Sequence, residues 1–124
     1  MKIINEDAFK GTHKGKPTAL YTLKNRNGMV AQITSFGAKI VSIYVPDRNG
    51  NFADIVLGYE SIEKYIKGNP YFGAICGRYA NRIANGKFVI DGITYQLPVN
   101  NGPNSLHGGP EGFNNQVSDA KRVI

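Results

Sequence analysis

Arg78, Asn81, Arg82, Asn104 and His107 are crowded into two segments, 69–86 and 98–112, that are rich in glycine and turn-forming residues. Guanidinium forks and neutral amides are the groups that read a polyhydroxylated ligand, because each hydroxyl both donates and accepts a hydrogen bond. Tyr71, Phe72, Tyr79 and Phe113 lie within or beside these segments and offer aromatic surface to the C–H face of such a ligand. Histidine changes charge near neutral pH, which makes His107 the candidate for proton exchange. Asn104 and Ser105 are read as loop-shaping residues through side-chain to backbone bonds, and Tyr71 and Phe72 as core anchors. Cys76 is the single cysteine. It can form neither an intrachain disulfide nor a Cys-x-x-Cys metal knuckle, and no metal site is expected. The glycines at 73, 77, 108, 109 and 112 do not form the G-x-G-x-x-G cradle of a nucleotide site.

Loops like these need a rigid scaffold, and the rest of the chain reads as short strands and turns. Residues 18–24 and 29–34 are strand-length apolar runs around Asn25-Arg26-Asn27-Gly28, which predicts a hairpin. In 38–45, period-two alternation puts Val41, Ile43 and Val45 on one face. Residues 46–51 are a dense turn signal, followed by a short strand over 54–57. Residues 61–67 form one expected helical turn, with Ser61 as its N-cap and Gly68 as its stop. Lys87 to Ile90 and 93–97 are joined by Asp91-Gly92, the pair that a type I′ turn demands. That tight hairpin connects the two long loops, so both should meet at one end of the sheet. The class is all-β, antiparallel.

The 124 residues suit one domain with a real core, 41% hydrophobic and 19% charged. No apolar run is long enough to span a bilayer, and the N-terminus turns acidic after one lysine instead of apolar, so neither a membrane partner nor a signal peptide is expected. The net charge of +6 comes from 15 Lys and Arg against 9 Asp and Glu. Lys10, Lys14 and Lys16 are grouped, but no basic stretch is interleaved with aromatics, so nucleic acid is not an expected partner and the surplus reads as a solvated surface. A cytoplasmic location fits this reading.

Asn-Pro-Tyr-Phe-Gly (69–73), Gly-Arg-Tyr-Ala-Asn-Arg-Ile-Ala-Asn-Gly (77–86) and Asn-Asn-Gly-Pro-Asn-Ser-Leu-His-Gly-Gly (100–109) resemble the aldose 1-epimerase (galactose mutarotase) family in order, spacing and residue type. Ser35-Phe36-Gly37-Ala38 and Asp54-Ile55-Val56-Leu57-Gly58 are similar to the family's opening strands. The resemblance implies an antiparallel β-sandwich of the galactose mutarotase type, with residues 1–124 as its N-terminal part. It implies an isomerase that interconverts the α- and β-anomers of free hexoses such as galactose and glucose, with no cofactor. By the same resemblance, Asn81 and Arg82 contact sugar hydroxyls, Arg78 is a further candidate contact, and His107 matches the active-site histidine near the ring oxygen. The family's second histidine, its sugar-binding Asp and its Glu general base are expected beyond this chain, which would leave 124 residues inactive alone. His13 matches no part of the site, and Ser118 stands where the family usually has Trp. The rival reading is a non-catalytic carbohydrate-binding β-sandwich or an inactive remnant. Cut strand edges would favour self-association. His107-Gly108-Gly109 also resembles an esterase oxyanion loop, but no Gly-x-Ser-x-Gly elbow accompanies it.

Overall fold

The computed structural model describes residues 1–68 and 71–123. Asn69 and Pro70, which open the first predicted loop and one of its motifs, lie outside the described residues. After a 3₁₀ turn at Glu6–Phe9 come β1 (Gly11–His13), β2 (Lys16–Thr18), β3 (Leu20–Lys24), β4 (Val30–Thr34), β5 (Ile40–Pro46) and β6 (Phe52–Asp54). Helix α1 (Ile62–Gly68) follows, then β7 (Arg82–Ile83), β8 (Lys87–Ile90), β9 (Ile93–Gln96) and β10 (Ser105–Leu106). Strands β3-β4-β5-β6 form a four-stranded sheet in that order; β1-β2, β8-β9 and β7-β10 are two-stranded, and every pairing is antiparallel.

The hairpin predicted around residues 25–28 is present, with Lys24 opposite Val30. Asn25 closes it: its Oδ1 accepts from the N–H groups of Asn27 and Met29, both at 3.0 Å. Thr18 does not continue into that hairpin. It belongs to β2, opposite Gly11, in an additional hairpin turned by Lys14 and Gly15 at φ 50° and 78°. The Asp91-Gly92 turn has the positive φ values that its sequence demands, 50° and 77°.

Two strand readings are corrected. Strand β5 does not present Val41, Ile43 and Val45 together. The β4–β5 register shifts between Gln32 and Ile33, leaving Val41 as an extra residue. This bulge turns Val41 inward beside Ser42 and Tyr44, whereas Ile43 and Val45 stay only half-buried. The strand expected over 54–57 instead spans Phe52–Asp54. Ile55 N–H still donates to the Ile43 carbonyl (3.0 Å), but Asp54 Oδ1 takes the return bond from Ile43 N–H (2.9 Å) and also accepts from Val56 N–H (3.2 Å), so the ladder goes no further and Ile55 and Leu57 are exposed.

The buried face of the sheet carries Leu20, Val30, Gln32, Thr34, Ser42 and Tyr44. Its polar members are there because irregular backbone crosses that face and needs partners. Gln32 Nε2 donates to the Ile4 carbonyl (2.8 Å) and to Thr22 Oγ1 (3.1 Å). Its Oε1 accepts from Ile4 N–H (2.9 Å) and Ser42 Oγ (3.1 Å). One amide thereby stands in for a strand edge. We expect Gln32→Leu to strip both Ile4 groups of their partners and cost about 2–4 kcal/mol in urea denaturation. Amide exchange should accelerate first in residues 2–9.

The apolar core behind the sheet joins Phe9, Leu20, Phe36, Val41, Ile62, Tyr65 and Val117. Lys39 is fully buried among them, its Nζ 4.3 Å from the Phe36 ring centre and 5.4 Å from that of Tyr65. The opposite face, carrying Tyr21, Leu23, Ala31, Ile33, Ile43 and Val45, is open, with Tyr21 and Leu23 exposed.

The strands also anchor the site. Gly37 N–H donates to the Gln116 carbonyl (2.7 Å) and Ser118 N–H to that of Ser35 (2.8 Å). Ile40 N–H donates to the Gly73 carbonyl (2.9 Å). Residues 35–40 are thus held between the 71–75 and 116–118 segments.

Candidate functional site

The two long loops meet, as the intervening hairpin requires. Each contributes a strand that the sequence pattern does not signal: β7 and β10 pair, with Ser105 opposite Ile83 and Leu106 opposite Arg82. One residue beyond this ladder, Asn81 and His107 exchange hydrogen bonds. His107 N–H donates to the Asn81 carbonyl (3.0 Å), and Asn81 N–H donates to His107 Nδ1 (2.9 Å). Both residues are left-handed, at φ 62° and 49°, a region Asn and His tolerate better than most side chains.

That second bond decides the chemistry of the imidazole. A backbone N–H can only donate, so Nδ1 must be an acceptor and the neutral ring carries its proton on Nε2. His107 therefore presents a donor, held by a peptide group that cannot rotate. The edge of Tyr71 meets its ring at a centroid distance of 4.7 Å.

Arg82 lies beside this pair. Its Nε donates to Asn101 Oδ1 (2.8 Å) and one terminal nitrogen lies 3.4 Å from Asn81 Oδ1. The guanidinium is aimed by two amides and stays solvent-exposed. Asn81, Arg82 and His107 are thus one cluster. Arg78 is placed differently: its guanidinium stands over the Phe113 ring (5.6 Å), in an adjoining cleft with Tyr79, Ser105, Gly108 and Glu111. Asn104 Oδ1 accepts from Asn85 N–H (3.3 Å), the loop-shaping role expected of it.

Among the predicted anchors, Tyr71 is half-buried against His107, while Phe72 is 39% exposed and tilts against Tyr59. Cys76 is free and half-buried. His13 packs edge-on against Phe36 (4.9 Å). Lys10 pairs with Asp7 (2.5 Å) and Lys14 with Glu111, which ties the β1–β2 hairpin to the His107 loop. The second of these contacts lowers the Glu111 carboxyl below the usual range through its hydrogen bond and charge.

The family model for aldose 1-epimerase matches residues 19–123, which include all of these elements from β3 onward. The chain belongs to the aldose 1-epimerase family. It is 54% identical over 81 residues to galactose mutarotase of Bos taurus, covering 65% of this chain and 24% of that protein. It is 44% identical over 99 residues to the aldose 1-epimerase of Escherichia coli, covering 80% of this chain and 29% of the relative. The fold matches that of an aldose epimerase homologue from C. elegans at a TM-score of 0.79 and 36% identity, over 86% of this chain and 33% of that one. Galactose 1-epimerase from Lactobacillus acidophilus matches at 0.72 and 29% identity, over 86% and 30%. The chain spans about a quarter of the length of the curated mammalian relatives it matches.

The Tyr71 hydroxyl and the side chains of Asn100 and Asn101 also support the cluster. Tyr71 reads as a core anchor in the sequence, and Asn100 and Asn101 belong to the 100–109 motif without a role that the sequence assigns them. Their amides act on residues six and nineteen positions away, which no local pattern signals. Among the described residues, no group of His, Cys, Asp or Glu is placed to hold a metal, and no helix is long and apolar enough to cross a membrane.

Proposed function

We propose that residues 1–124 are the N-terminal part of an aldose 1-epimerase domain and supply one wall of a site that interconverts the anomers of free hexoses such as galactose and glucose. The observation that carries this reading is the Asn81–His107 pairing, which leaves His107 Nε2–H as a fixed donor beside the Arg82 guanidinium. Opening the ring removes the proton from the C1 hydroxyl and breaks the bond from C1 to the ring oxygen, whose electron pair then needs a donor. His107 Nε2–H supplies a hydrogen bond at that oxygen, where charge develops. Giving up that proton would leave an imidazolate, so the proton itself comes from a second acid. Closure on either face of the carbonyl gives either anomer. Arg82 and the Asn81 amide orient hydroxyls, and Arg78 contacts the sugar from the adjoining cleft. The second acid and the base that takes the C1 proton are assigned to sequence outside these residues, as is the cover for the open sheet face. The compartment proposed is the cytoplasm.

Two measurements test the reading. In polarimetry of freshly dissolved α-D-glucose, the 124-residue chain should add little to the uncatalysed rate; strong catalysis would overturn the assignment of the acid and base to other sequence. In a galactose titration followed by NMR, the His107 and Arg82 signals should shift together. Their failure to respond would remove the sugar site. Saturable binding without turnover is also what a carbohydrate-binding module would show. Restoring the remaining family sequence separates the two, since only an epimerase wall gains activity.

A further inference from the structure

The Asn100 side chain faces the edge of β10 that β7 leaves unpaired. Successive residues of a strand point their backbone groups to opposite sides. His107 N–H points toward Asn81, so the N–H and carbonyl of Leu106 point away from it. Both are met by one amide: Leu106 N–H donates to Asn100 Oδ1 (2.7 Å), and Asn100 Nδ2 donates to the Leu106 carbonyl (3.0 Å), which it shares with Gly109 N–H (3.0 Å). The same Nδ2 lies 3.5 Å from the Tyr71 hydroxyl, whose ring edge rests on His107. Asn100 is itself braced, its N–H donating to the Asn104 carbonyl at 3.1 Å.

We propose that Asn100 is the positioning residue that keeps His107 a donor through Nε2. The argument is mechanical. His107 sits at φ 49°, a conformation a non-glycine residue keeps only where its surroundings over-determine it. Its ring must also present Nδ1 to a single peptide N–H, and such a bond weakens steeply with misalignment. Leu106 is the residue before it. Clamping both Leu106 groups fixes the peptide plane from which the His107 side chain projects, and the contact to the Tyr71 hydroxyl braces the ring that packs against the imidazole. Without Asn100 the Leu106 N–H loses its partner, and on the outer edge of β10 only the bond from Gly109 N–H to the Leu106 carbonyl (3.0 Å) is left to hold that plane, so the ring gains freedom to exchange tautomers. The use of the donor on a sugar rests on the function proposed above; the locking of the tautomer does not.

The test is heteronuclear NMR of the ring nitrogens in the ¹⁵N-labelled 124-residue chain, at mildly alkaline pH where imidazoles are neutral. Wild-type His107 should show one tautomer, with Nδ1 unprotonated and Nε2 protonated. In Asn100→Ala its two nitrogen shifts should move toward each other as both tautomers become populated, while His13 and the β8–β9 signals stay in place. Asn100→Asp keeps the acceptor for Leu106 N–H and should show a smaller movement. Unchanged His107 nitrogens in Asn100→Ala would overturn the proposal. Should that variant not fold, the same result in Asn100→Asp would overturn it. A galactose titration run on the wild type keeps the two readings apart, because absent sugar shifts count against the sugar site and leave the tautomer result standing.

Discussion

Lys39→Met is expected to make the protein more stable at neutral pH, by about 1–3 kcal/mol, and to flatten its stability between pH 8 and 10. Lys39 is completely buried, and its Nζ has no hydrogen-bond partner among the described residues. Desolvation pushes the amine down from 10.5 to about 8. Below that value the amine is protonated in both the folded and unfolded states, and the fold carries a buried ammonium. Between about 8 and 10.5 the unfolded chain holds the proton and the folded chain does not, so stability rises with pH across that window. The whole shift is worth roughly 3 kcal/mol. The faces of Phe36 and Tyr65 offset part of the cost of the charged form, by about 0.5–2 kcal/mol, which sets the lower end of the expected gain. Burial pushes the phenols of Tyr44 and Tyr65 up from 10.0, so their contribution falls once the pH passes that value, and the rise is best read below it. Methionine keeps a similar length and leaves nothing to ionise. Lys39→Arg, charged throughout, should be less stable than wild type and equally flat. Urea melts at several pH values decide it: a wild-type curve already flat between pH 8 and 10 would show that the ammonium is not penalised.

In sequence Lys39 reads as one more surface cation, and the reason that reading fails applies more widely. Local chemistry is legible. Asp91-Gly92 specifies its own turn, Asn25 to Gly28 closes a hairpin within a few residues, and Arg82 and His107 come together because a short hairpin must bring its flanking loops back to one place. What depends on register or distant partners is not. One extra residue at Val41 exchanges the faces of β5, and alternation alone cannot reveal it. Strand β6 ends at Asp54 because the carboxylate captures two backbone N–H groups, a bond visible only in three dimensions. The Lys14-Gly15 turn is hidden in a stretch that reads as merely basic. In the site, His107 and Asn100 share one recognisable motif, but only the imidazole announces a role by its type. The positioning role proposed for Asn100 comes from facing both polar groups of Leu106 at once.

Gly108→Ala should be the most damaging single-methyl change to the site, costing about 3–4 kcal/mol and separating the two loops. Gly108 has φ +89°, and a Cβ there would lie 1.8 Å from the Gly77 carbonyl oxygen and 2.5 Å from its carbon. Both atoms are backbone, so no side chain can swing aside. The same carbonyl accepts from Phe113 N–H (3.1 Å), and Gly77 leads directly into Arg78, Asn81 and Arg82. Relief of the clash therefore requires the 107–109 and 77–78 segments to part, which pulls His107 away from the Asn81 peptide and opens the cleft around Arg78. Gly102 is the natural control. It has φ +56°, but a methyl group there would meet nothing within 4 Å, so Gly102→Ala should carry only the left-handed backbone penalty of roughly 1 kcal/mol. The difference between the two variants in urea melts isolates the close approach. Spectra should show the Asn81 and His107 signals displaced in Gly108→Ala and retained in Gly102→Ala. Equal, mild destabilisation by both would mean that the loops are not in contact at Gly77, and the fixed donor on which the proposed sugar chemistry depends would lose its support.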